Sequence, residues 1–165
     1  IVPGTFEELL WNGEKTEDPF SLFQLPNAAV CLQNSHLLNA TIRENLTLGR
    51  DFSDESCLEA LNDCCIAEEV MHMPDGLGTL AGENGIMLSG GQKQRILLAR
   101  MLLTHPRLYL LDDATSALDG KTERKILETL RERIRRDNGA AVIVSDSDNV
   151  KAMADRILSI GGNAS

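Results

Sequence analysis

The stretch "LSGGQKQRILLARMLL", Leu88 to Leu103, passes from a polar glycine turn into a helical pattern in which Ile96, Leu97, Ala99 and Leu103 are interleaved with Lys93 and Arg95. A helix that opens on Ser-Gly-Gly offers unpaired N–H groups, a hydroxyl and the positive end of its dipole, which together suit a phosphate. Three short apolar runs flank it: "AAVCL" from Ala28, "LYLL" from Leu108 and "AAVIV" from Ala140. They read as strands buried on both faces, as in a parallel sheet. Each is followed at once by polar side chains, Gln33 after the first, Asp112 and Asp113 after the second, Ser145 and Asp146 after the third. Open α/β sheets bind ligands at the carboxyl ends of their strands, so these ends are expected to converge on one polar site. A fourth run, "RILSI" from Arg156, stops at Gly161 and Gly162 and is expected to close the sheet.

Helices are expected between the strands. Ser53 to about Cys65 begins with a capping serine and acids in its first turn, and Leu58, Leu61 and Cys65 form a stripe; a short second helix runs to Met73, before Pro74. Lys121 to Arg136 puts Ile126, Leu127, Leu130 and Ile134 on one face and stops at Asp137-Asn138-Gly139.

At 165 residues and 42% hydrophobic, the chain has the apolar content for one domain of the α/β class. A formal charge of −9 argues against a nucleic-acid partner, which calls for a basic face. No apolar stretch approaches the ~18 residues of a membrane span, and "IVPGTFEELLWNG" lacks the basic start of a secretion signal. Cys31, Cys57, Cys64 and Cys65 have neither zinc-site nor C-x-x-C spacing and read as buried reduced thiols. The N-x-[ST] triplets at Asn39, Asn45 and Asn163 would matter only in a secreted chain.

"LDDATSALDGKT", Leu111 to Thr122, ends in the Gly-Lys-Thr that closes a phosphate-binding loop, but five places before Gly120 stands Thr115 where G-x-x-x-x-G-K-[ST] requires glycine. Two aspartates and "TSAL" also separate the strand from Gly120, so this Gly-Lys-Thr is read as a decoy.

"LSGGQKQR" resembles, letter for letter, the signature motif of ABC-type ATPases. In the same order, Gln33 resembles the Q-loop glutamine, "LYLLDD" resembles Walker B, and "SALD" (Ser116 to Asp119) resembles the D-loop. "TIREN" (Thr41 to Asn45) is similar to the segment after the Q-loop in exporters, and "TLAGENG" (Thr79 to Gly85) is similar to the T-x-x-G-E-x-G loop that exporters set against their transmembrane domains. The resemblance runs from about Gly4 to Gly162. It implies a partial P-loop NTPase core at 1–33 and 104–165, with an inserted helical subdomain at 34–103.

The resemblance also implies ATP and Mg²⁺ as cofactors. Gln33 and Asp112 would organise the metal, and Asp113 would stand at the base position. Ser89, Gly90, Gly91 and Gln92, with Asp119, would contact nucleotide held by a second nucleotide-binding domain in a head-to-tail dimer. The Gln33 loop and Thr79 to Gly85 would meet transmembrane domains at the cytoplasmic face of a membrane.

Two positions depart from the family's pattern. Asp113 stands where the family usually has a catalytic glutamate, and Asp146 where it usually has a switch histidine. Aspartate is one methylene shorter, and a misplacement of about 1 Å can cost on the order of 100-fold in rate. An ionised Asp146 has no proton to donate to a γ-phosphate and repels it.

The family's Walker A loop is expected before "GTFEELLWNG", so the expectation is a chain that supplies no phosphate cradle for itself. The resulting reading is the degenerate half of an exporter pair, coupling ATP to transmembrane export and lending its signature in trans. The alternative is a non-catalytic dimerisation or regulatory module. A DNA-repair ATPase is disfavoured by the acidity and by the lack of heptad arms.

The 165-residue chain alone is therefore expected neither to bind Mg-ATP tightly nor to hydrolyse it. Isothermal calorimetry checks this, and micromolar binding would contradict it.

Overall fold

The computed structural model describes residues 10–11, 14–15 and 25–159, so most of "GTFEELLWNG" and the end of "RILSI" lie outside the described residues. The alternating strand and helix pattern resolves into an α/β fold. Strands β1 (Leu10–Trp11) and β2 (Glu14–Lys15) pair antiparallel. The main sheet consists of β3 (Ala28–Cys31), β4 (Leu108–Asp112) and β5 (Ala140–Val144), in the order β3-β4-β5 and all parallel. Register sets Cys31 beside Leu111 and Leu111 beside Ile143, so the carboxyl ends of the strands emerge along one edge, as their sequences predict.

Between β3 and β4 run α1 (Ile42–Thr47), α2 (Asp54–Asp63), α3 (Ala67–Met71) and α4 (Gly90–Leu103). Between β4 and β5 lies α5 (Gly120–Arg136), and α6 (Asp148–Met153) follows β5. Caps explain the starts. The Ser53 hydroxyl accepts the Ser56 N–H to open α2, and Thr41 forms a reciprocal capping box with Glu44 to open α1. Among the described residues no helix is long and apolar enough to cross a membrane.

One face of the sheet, with Cys31, Tyr109 and Leu111, joins a single core shared with Ile42 and Leu46 of α1, Leu61 of α2, Ile96 and Leu102 of α4, and Ile126 and Leu130 of α5. The other face departs from the expectation of double burial. Val30, Val142 and Val144 are exposed there, because the described helices gather on the opposite side. The run from Arg156 also departs from expectation: residues 156–159 form no strand, and Ile157 and Leu158 are exposed. Of the four thiols, Cys31, Cys57 and Cys64 are buried and Cys65 is exposed. Burial pushes the Cys31 thiol up to about 11, which keeps it unreactive.

Asn45 is fully buried. Its Oδ1 accepts the Leu38 N–H at 2.7 Å and Arg100 Nη2 at 3.0 Å, while its Nδ2 donates to the carbonyls of Leu38, Ala40 and Thr41. Its own carbonyl accepts Arg100 Nε at 2.7 Å. This residue therefore ties the loop after Gln33 to α1 and α4. It is also the asparagine of an N-x-[ST] triplet, and its saturation inside the core leaves no amide for a glycan.

Replacing Asn45 with Ala strips these partners from buried groups, and urea unfolding should show a loss of about 2–4 kcal/mol.

Candidate functional site

Of the polar residues that follow the strands, Gln33 and Asp113 are brought into direct contact, while Asp112 and Asp146 stand at the same ends of their strands. Asp112 is the last residue of β4, level with Val144 of β5. Asp113 leaves the strand with a left-handed φ of 50°, and its N–H donates to the Val144 carbonyl at 2.9 Å. An aspartate tolerates that conformation better than most residues. Gln33, in the turn after β3, donates its Nε2 to Asp113 Oδ2 at 3.1 Å, which joins residues 80 apart in sequence. Asp146 is exposed in the loop after β5. Asp112 and Gln33 are exposed as well, so three carboxylates and an amide occupy an edge open to solvent.

The start of α4 is more self-contained than its sequence predicts. Gly90 and Gly91 are the first residues of the helix rather than a turn before it. Ser89 is the cap: its Oγ accepts the Gln92 N–H at 3.2 Å, and Gln92 Oε1 accepts the Ser89 N–H at 2.9 Å. The remaining polar end of Gln92 donates to Glu69 Oε2 at 3.1 Å, and Glu69 is forked by Arg95 at 2.6 Å and 3.2 Å. The hydrogen bonds from Arg95 hold the Glu69 carboxyl below its usual range; burial opposes this and the Gln92 bond reinforces it.

A second bridge joins α4 to the loop after β4. Gln94 Oε1 accepts the Ala117 N–H at 2.8 Å and its Nε2 donates to Ser116 Oγ at 3.2 Å, while that hydroxyl donates to the Asp113 carbonyl at 3.0 Å. Close packing accompanies the bonding. A Cβ on Gly91 would lie 3.2 Å from the Ala117 carbonyl oxygen, whereas one on Gly90 would meet only the Ala117 methyl at 3.8 Å.

The Gly-Lys-Thr at 120–122 forms the first turn of α5, consistent with its reading as a decoy. Asp119 caps this helix and accepts the N–H groups of Lys121 at 3.1 Å and Thr122 at 3.0 Å. Hydrogen bonds from Thr122 and then Lys121 hold its carboxyl low. The helix end that a phosphate would use is thus already filled by an anion.

The segments "TIREN" and "TLAGENG" lie against each other. Thr41 bridges Leu80, the Ile42 N–H donates to the Thr79 carbonyl at 2.9 Å, and the Ala81 N–H donates to the Ala40 carbonyl at 3.0 Å. Gly82 and Gly85 both have positive φ, and a Cβ on Gly85 would press within 3.1 Å of Leu37. Leu38, Leu80, Ile86 and Met87 are exposed nearby.

Sequence reasoning missed Glu69, Gln94 and the buried pair Thr115 and Glu123, whose side chains are 2.7 Å apart. Glu123 alone left a signal, as an acid on the apolar stripe of α5.

A family model described as ABC transporter matches residues 3–116. The ABC-type transporter fsqE of Aspergillus fumigatus is 41% identical over 139 residues, 78% of this chain and 11% of that protein. The mitochondrial iron-sulfur clusters transporter ATM1 of Saccharomyces cerevisiae is 38% identical over 127 residues, 76% of this chain and 18% of that protein. A solved structure of a bacterial Atm1-family ABC exporter with ATP bound superposes with a TM-score of 0.69 at 36% identity, covering 78% of this chain and 22% of that one. The chain thus spans less than a quarter of the length of these relatives.

The cap and the glycine contact predict different costs at neighbouring positions. Ser89→Ala should lower stability by about 1 kcal/mol through the lost cap. Gly91→Ala should cost more than Gly90→Ala, because only the former meets a backbone carbonyl at 3.2 Å. Urea unfolding of the three variants checks both.

Proposed function

The chain belongs to the ABC transporter family, as part of an exporter-type nucleotide-binding domain, and from that premise we propose that it is the half of a pair whose own ATP site is weak and whose signature serves its partner's site. The observation that carries this asymmetry is the contrast between its two ends. The α4 start keeps serine, both glycines and glutamine in an intact cap, whereas the acid beside Asp112 is an aspartate tied to Gln33.

In this reading the core lobe is 1–33 and 104–165 and the helical lobe 34–103. Ser89 to Gln92 contact the γ-phosphate of ATP held by the partner domain, with Asp119 close by in a head-to-tail dimer. The donor set at this chain's own edge fits Mg²⁺: the Asp112 carboxylate and the amide oxygen of Gln33 are hard oxygen donors, and such a site takes its remaining ligands from phosphates and water. When bound, the ion would neutralise phosphate charge.

Asp113 would polarise the attacking water, but its carboxylate is short and already accepts a hydrogen bond from Gln33. Asp146 meets the γ-phosphate with like charge. The Gln33 loop and Thr79 to Gly85, with their exposed Leu38 and Leu80, dock on transmembrane domains at the cytoplasmic face of a membrane. ATP binding and hydrolysis by the assembly then drive export by positioning and charge stabilisation.

The same substitutions favour a second reading, a non-catalytic dimerisation or regulatory module. Pairing with an intact half that needs no nucleotide would favour it.

Steady-state ATPase assays on the full transporter test the proposal. Gly91→Glu should abolish turnover at the partner's site. Asp113→Glu should raise turnover at this chain's own site on the order of 10-fold by restoring reach. Asp146→His should add to it, and the double variant should exceed the product of the singles because both groups act on one water and one phosphate. Full turnover at this site with Asp113 and Asp146 untouched would overturn the asymmetry.

A further inference from the structure

Glu123 brings a carboxylate into the core without touching any position assigned to nucleotide. It lies one turn into α5, on the stripe that continues through Ile126, Leu127 and Leu130, and is only 7% exposed. An acid on such a stripe costs more than leucine would unless its lone pairs are met. Here they are met from two loops. Oε1 accepts the Thr115 hydroxyl at 2.7 Å; Oε2 accepts the Ser147 hydroxyl at 2.8 Å and Asn149 Nδ2 at 2.7 Å. Asn149 is itself steadied, with Nδ2 also donating to the Gly120 carbonyl at 3.1 Å and Oδ1 accepting from Arg124 at 3.3 Å. Burial raises the Glu123 carboxyl, but the three hydrogen bonds together outweigh it and keep the group ionised.

The donors are not arbitrary. Thr115 follows Asp113 by two residues in the loop after β4, and Ser147 directly follows Asp146 in the loop after β5. Backbone pairing holds the strands themselves in register only as far as Asp112 and Val144. Beyond that point the Asp113 N–H bond to Val144 and the two oxygens of Glu123 connect the loops. A carboxylate accepts on both oxygens at once, which an alcohol or an apolar side chain at this position cannot do.

We propose that Glu123 is a positioning residue that fixes the loop bearing Asp113 against the loop bearing Asp146. Its effect on catalysis rests on the reading of those two acids given under Proposed function, while the mechanical coupling of the loops does not.

Two measurements on the full transporter test it. Hydrogen exchange without nucleotide should show residues 113–117 and 145–150 exchanging faster together in Glu123→Ala, with α2 and α4 unchanged. Glu123→Gln should restore part of the protection, since its amide can still bridge both loops once the Thr115 hydroxyl turns to accept. A change confined to one loop, or a rise that includes α2 and α4, overturns the proposal. If Glu123→Ala does not fold, Thr115→Val and Ser147→Ala each remove one donor, and each should loosen both loops; effects confined to each variant's own loop would refute the coupling.

The second measurement uses the Asp113→Glu background. There Glu123→Ala should lower kcat by on the order of 10-fold with the KM for ATP unchanged, the pattern of lost transition-state positioning, and Glu123→Gln should lower it less. A rise in KM at constant kcat overturns the catalytic part. Absence of any turnover gain from Asp113→Glu alone would instead refute the reading of the site, and the exchange experiment would still decide the role of Glu123.

Discussion

The arrangement depends first on a buried amide. Asn45 has no access to water, so each of its polar atoms must find a partner inside the protein. The partners it finds are the backbone of residues 38–41 and the guanidinium of Arg100 on α4. Arg100 also reaches the carbonyl of His36. The segment leaving Gln33 is thereby fastened to the same helix that begins with Ser89. A mismatch anywhere in this cluster would leave buried groups unpaired, at a cost of roughly 1–3 kcal/mol each, so the cluster fixes how the segment after Gln33 lies against α4.

The strand ends present the opposite situation, with charge held at an open edge. Parallel strands sit about 4.8 Å apart, and Asp112 and Asp113 leave β4 next to the strand that leads to Asp146. Solvent screens these acids from one another, which is why their gathering is tolerated in a folded chain. Gln33 offsets part of the charge by donating to Asp113, and Glu123 works one layer below, where neutral hydroxyls and an amide satisfy its charge.

The α4 start and the edge are not independent. Gln94 grips the loop after Asp113 by accepting from Ala117 and donating to Ser116, and Gly91 lets that loop approach because it lacks a Cβ. Glu69, with Arg95 as its counter-charge, holds the other side of Gln92.

Local chemistry was enough to make much of this legible in the sequence. The three apolar runs became parallel strands, Ser53 and the Asp137-Asn138-Gly139 stop bounded helices where expected, and the Gly-Lys-Thr at 120–122 proved to be a helix start already capped by Asp119. Signals of that kind arise from periodicity, capping and turn residues within a few positions of each other. The exposed sheet face, the lack of a strand at 156–159 and the first helical position of Gly90 were not legible, because each depends on what packs alongside or on how a cap closes. The same holds for the contacts joining Gln33 to Asp113, Gln94 to Ala117 and Glu123 to Thr115 and Ser147. The sequence by itself determined which residue types stand at the ends of strands and helices. Only the tertiary structure decided which of them touch, since pairings across 80 residues of chain follow from burial and register rather than from any local pattern.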